Sequence, residues 1–185
     1  WNLGEELNRG IVHGDDEENS GDPYVSQIKQ WAAYVDSLDV YDKLITAHPF
    51  DIDDFYNPLL GFPHFTGAGI QTNHNLDTIY HVTKKWIQKS ANAGVPWVVS
   101  NDEQGGWQHG LLPSGDSTNF TRYRKKAIWP CFLAGGTGIE FYFGYSFPHN
   151  DLNLEDFRSR ETMWQQGKVA LELMKKVPFY EMEEA

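Results

Sequence analysis

Short apolar runs of strand length alternate along this chain with longer segments of helical period. That alternation limits its fold more than any other feature. Residues 44–48, 67–72, 97–100 and 138–143 are runs too brief for a helix, punctuated by Pro, Gly or Asn. Residues 1–4 read as the end of another strand, and 5–21 as a polar loop rich in Gly, Asp, Glu and Asn. Tyr24, Ile28, Trp31, Ala32, Val35 and Leu38 recur at helical spacing behind Asp22-Pro23, an N-cap followed by a first-turn proline. This predicts a helix over 23–38. Leu76, Ile79, Tyr80, Val82, Trp86 and Ile87 predict a second helix, stopped by a left-handed cap at Gly94. A third is predicted over 118–134, kinked at Pro130. A fourth, over 154–176, carries Phe157, Trp164 and Leu171 at seven-residue steps and ends before Pro178.

Strands alternating with helices need crossover connections, hence a parallel sheet. Five strands closing on a helix fit the C-terminal half, about strands four to eight, of a TIM (β/α)8 barrel. The expectation is one partial barrel domain over residues 1–185, its first strands supplied by preceding chain and the fragment inactive alone. The rival is an open doubly wound sheet, but no Gly-rich dinucleotide fingerprint follows any of the strands.

The acids are placed where such a sheet keeps its chemistry. The run 96–107 delivers Asp102 and Glu103 from the end of a strand into a loop containing Gln104, Gly105, Gly106 and Trp107, and Glu5 and Glu6 follow the first strand. Two carboxylates from different strands are the minimum equipment of a glycoside hydrolase, one protonating the leaving oxygen and the other attacking the anomeric carbon. Glu6 and Glu103 are the catalytic candidates, with Glu5 and Asp102 as second choices. His48, Gln71, Asn73, Trp107, Glu140 and Tyr142 lie at or beyond strand ends and are the candidate substrate contacts. Trp97, inside its run, reads as core.

The stub Trp1-Asn2-Leu3-Gly4-Glu5-Glu6 resembles the fourth-strand motif Trp-x-Leu-Gly-Asn-Glu of clan A glycoside hydrolases. Residues 1–6, 96–104, 135–144, 155–164 and 177–182 are similar to a group of uncharacterised bacterial proteins with a glycoside-hydrolase-like barrel. Those proteins often carry an N-terminal β-sandwich and a C-terminal module described as collagen-binding. The resemblance implies a retaining mechanism with Glu6 as acid/base and Glu103 as nucleophile, a carbohydrate substrate, accessory β-sandwich domains, and a secreted or periplasmic location. Two positions depart from the clan pattern. Glu5 stands at the usual asparagine, and Asn101 stands at the usual nucleophile position, with Asp102 and Glu103 following it. The departures motivate an alternative, a carbohydrate-binding pseudoenzyme. A third reading is a metal-dependent hydrolase using His48, His74 and Asp102.

The remaining composition narrows partners. A formal net charge of −11 argues against nucleic acid, whose phosphates demand a basic face. No apolar run is long enough to span a bilayer. The single cysteine, Cys131, lies in an apolar run, permits no intrachain disulfide and reads as a small core residue. The acid-rich runs 13–18 and 51–54 lack calcium-loop spacing, and no histidine pair has zinc spacing, so no cofactor or metal is expected.

Overall fold

The computed structural model describes residues 1–7, 23–50, 52–72, 75–106, 108–116, 119–153 and 156–182. Its sheet has three parallel strands, β1 (Gly67–Gln71), β2 (Val98–Glu103) and β3 (Gly138–Ile139), in the order β1-β2-β3. The helices are α1 (Pro23–Leu38), α2 (Ile52–Tyr56), α3 (Ile79–Asn92), α4 (Asn119–Tyr123), α5 (Trp129–Leu133) and α6 (Glu161–Met174). The class is α/β with a parallel sheet.

The expected half barrel is overturned. A three-stranded sheet is too small to supply strands four to eight of a TIM barrel. Segments 1–4 and 44–48, expected as strands, make only isolated parallel bridges, Asn2 with Thr46 and Leu7 with Pro49. The reason is local. The Thr66 hydroxyl accepts the Ile45 N–H at 3.1 Å, so a side chain takes the place of a ladder partner, and the Gly69 N–H reaches Ala47 O at 3.3 Å. On the other edge β3 stops after two residues instead of running to 143. The Glu140 N–H still donates to Asn101 O at 2.9 Å. Beyond it the Gln104 side-chain amide acts as a surrogate strand, donating to Glu140 O and accepting from the Tyr142 N–H.

The helices follow the periodicity more closely. α1 has the expected bounds, but its buried face narrows to Ile28 and Ala32, with Trp31 and Leu38 exposed. α3 follows one 3-10 turn (Leu76–Thr78), buries Ile79, Thr83, Trp86 and Ser90, and gives way to Gly94 at φ +87°. The third predicted helix is interrupted by a π turn, Arg124–Ile128, between α4 and α5. Pro130 lacks an N–H and its ring crowds the carbonyl four residues back, and a wider turn relieves that crowding. Of the seven-residue stripe on the last helix only Trp164 packs on the core, against Phe141 and Phe143; Phe157 is 60% and Leu171 54% exposed, while Met163 and Ala170 are buried.

One apolar cluster packs Ile28, Phe55, Tyr56, Trp86, Trp97 and Val99 together, and a second gathers Leu111, Tyr123, Ile128, Cys131 and Met163. The Trp86 and Trp97 rings stack 6.0 Å apart. Trp97 and Cys131 are therefore core residues, as expected.

Candidate active site

The pairing of β1 with β2 aims the acids. Residues pair one for one from Gly67–Val98 to Ile70–Asn101, and then Gln71 pairs with Glu103, skipping Asp102. Two residues opposite one make a bulge, which bends the strand and re-aims its side chains. Strict alternation would send Asp102 and Glu103 to opposite faces; here both line one cleft. Gly69 makes the room, since a Cβ there would stand 2.0 Å from Asp102 Oδ2. Asn101 is fully buried and turned into the sheet. Its Nδ2 donates to Ile70 O at 3.0 Å and Thr72 Oγ1 at 3.3 Å, and its Oδ1 accepts from Gln104 Nε2 at 3.0 Å. Asn101 is thus part of the framework.

The cleft has a volume of about 890 Å³. Glu5, Glu6, Gln71, Asp102, Glu103, Glu140 and Tyr142, all named from sequence, line it together with Phe50, Phe141, Tyr145 and Asp151. Glu6 sits at φ +47°, a left-handed conformation unusual for a side chain of its size. Gln71 Nε2 donates to Glu6 Oε1 at 3.0 Å, and the Gln71 side chain also favours the ionised form of Glu103.

His48 lies behind the lining rather than on it. It is 4% exposed, with its main chain held by hydrogen bonds to Gly4 O and from the Leu7 N–H, both 3.0 Å. Its Nδ1 is 3.8 Å from Glu5 Oε1 and its Nε2 3.7 Å from Glu103 Oε2, both beyond hydrogen-bond distance. Glu5, His48 and Glu103 each offer a ligand atom within 4.8 Å of the others.

Burial raises the Glu103 carboxyl above its ordinary pKa; the Gln71 hydrogen bond and the His48 charge oppose this, while Glu6 and Glu5 add to it. Burial likewise raises Asp102, against the Ser100 hydrogen bond and the His48 charge, with Glu5 pushing the same way. Glu140 is raised by partial desolvation and then by the charges of Asp102 and Glu5.

Asn73, His74 and Trp107 lie outside the described residues, as do 13–18 and Asp51. Sequence reasoning missed Phe50, Phe141, Tyr145, Asp151 and the bracing role of Gln104. Phe141 and Gln104 sat inside the runs that were singled out and could have been found there. Asp151 had no local signal. It is fixed by accepting from the Gly144 N–H at 2.8 Å and the Phe143 N–H at 3.1 Å, a contact made by the chain folding back on itself. The Tyr142 hydroxyl accepts from the Gln108 N–H at 3.1 Å.

Carboxylates that accept from sugar hydroxyls, beside aromatic rings that can stack on C–H faces, make a surface suited to a polyhydroxylated ligand. No family model, curated protein or solved structure matches the chain. Among the described residues, no helix is long and apolar enough to cross a membrane.

Proposed function

We propose that this cleft hydrolyses O-glycosidic bonds of a poly- or oligosaccharide by a retaining two-carboxylate mechanism. The observation that carries the reading is that Glu6 and Glu103, brought from separate segments, line one cleft, where the Gln71 amide donates to Glu6 at 3.0 Å. Retaining glycosidases separate their carboxyl groups by about 5–5.5 Å.

In this mechanism Glu6 protonates the departing glycosidic oxygen while Glu103 attacks the anomeric carbon and forms a glycosyl ester. Glu6 then takes a proton from the incoming water, whose oxygen displaces Glu103. Gln71 holds the Glu6 carboxylate in place, and Glu140, Tyr142 and Tyr145 supply polar contacts to the sugar.

A second reading exchanges the roles. Burial favours the protonated form of Glu103, and a general acid must start protonated. Azide rescue in the intact protein separates the two. With Glu103→Ala, azide occupies the space of a lost nucleophile and gives a glycosyl azide of inverted configuration. With Glu6→Ala, azide attacks the glycosyl-enzyme and gives the retained one. The opposite pattern exchanges the roles. Binding of glycans without release of reducing ends would replace catalysis with the pseudoenzyme reading.

A further inference from the structure

Among the described residues, the cleft lining holds six carboxylates, on Glu5, Glu6, Asp102, Glu103, Glu140 and Asp151, and neither Lys nor Arg. Mutual repulsion on that scale calls for a compensating cation, and the structure has a specific place for one. His48 Nε2 is buried without a hydrogen-bond partner, although a buried ring nitrogen ordinarily finds one. It is aimed at Glu103 Oε2, 3.7 Å away, and Glu5 completes a trio of ligand atoms within 4.8 Å of one another.

We propose that Glu5, His48 and Glu103 bind a transition-metal dication of the zinc class, with a further coordination position open to the cleft. Zinc binds nitrogen and carboxylate oxygen at about 2.0–2.2 Å, so two tetrahedral ligands of one ion stand roughly 3.3–3.6 Å apart. The His48–Glu103 pair is already close to that spacing. Glu5, with 72% of its side chain exposed, is free to close the remainder. One imidazole and two carboxylates cancel the charge of the ion and suit zinc, manganese or iron(II) better than magnesium or calcium, which prefer all-oxygen sites. The main-chain hydrogen bonds on either side of His48 hold the ring in place before metal arrives.

A consequence rests on the glycosidase reading. Glu103 cannot hold a metal ion and attack an anomeric carbon at once, so the ion is a reversible inhibitor that competes with substrate.

The test is calorimetric titration of Zn2+ into the intact, untagged protein after stripping with EDTA. The expected result is one saturable site per chain, weakened by about tenfold or more in His48→Ala and in Glu103→Gln. His48→Gln serves if the alanine variant loses its circular dichroism spectrum. Glu6→Gln is expected to keep the site, with less than about tenfold loss, while abolishing hydrolysis; metal binding and glycosidase activity therefore fail separately. Absence of saturable binding to the wild type, or equal binding by the folded His48 variants, overturns the proposal.

Discussion

Gln71 Nε2 lies 3.0 Å from Glu6 Oε1, a hydrogen bond that ties the end of β1 to the chain's first segment inside the cleft. One neutral amide thus holds the side chain of an acid whose backbone stands in the left-handed region. Replacing it by leucine frees the Glu6 carboxylate while keeping bulk. A hydrogen bond to a charged group is worth about 1.5–3 kcal/mol, so Gln71→Leu is expected to lower kcat by roughly 10–100-fold, with KM changed far less. Steady-state kinetics on the best substrate of a glycoside panel checks the split.

Loss of either acid is a larger effect. Glu6→Gln and Glu103→Gln are each expected to reduce kcat/KM by about 10²–10⁴-fold, the range of a positioned proton-transfer group, or by more where a covalent step is lost. Unchanged turnover in one variant removes that residue from the mechanism.

Asp102 carries a pH signature. Burial raises its folded-state pKa above the unfolded value, so the native state binds its proton more tightly. That binding stabilises the fold below the unfolded pKa, and the stabilisation is lost as pH rises through the folded value. Asp102→Asn in EDTA is therefore expected to have a higher Tm than the wild type at pH 7, and the gain is expected to vanish near pH 3. Thermal melts at the two pH values measure it.

Gly69 and Asp102 are coupled by space. A Cβ at position 69 meets the Asp102 carboxylate head on. Gly69→Ala is expected to destabilise by about 1–3 kcal/mol, the usual cost of overpacking. In the Gly69→Ala/Asp102→Gly double variant much of that cost is expected to disappear, a coupling that a denaturation-based double-mutant cycle reads directly.

Cys131 tests the core. Burial pushes its thiol pKa up to about 11, and thiol chemistry runs through the thiolate. The native protein at pH 8 is expected to leave this thiol unreacted with a chromogenic disulfide reagent. One equivalent is expected to react after guanidinium unfolding.

Helix periods and stop signals were legible because they depend on near neighbours: the helix start at Pro23, the Trp86 face and the Gly94 cap all stand as expected. The half barrel was not legible. Residues 44–48 have strand composition, yet Thr66 takes a ladder position with its hydroxyl. Residues 138–143 read as one strand, yet Gln104 substitutes for a neighbour after Ile139. Side chains competing for backbone partners leave no periodic trace.

The acids themselves were visible in the linear chain, since Glu5, Glu6, Asp102 and Glu103 all sit just past apolar runs. Their convergence was decided in three dimensions. Gln71 reaches across 65 positions to Glu6, and a one-residue slip at Asp102 turns both acids of β2 into one cleft. Local pattern records which residues are apolar and at what spacing. It does not record which distant backbone supplies each hydrogen bond, and those bonds set the direction in which every charged side chain points.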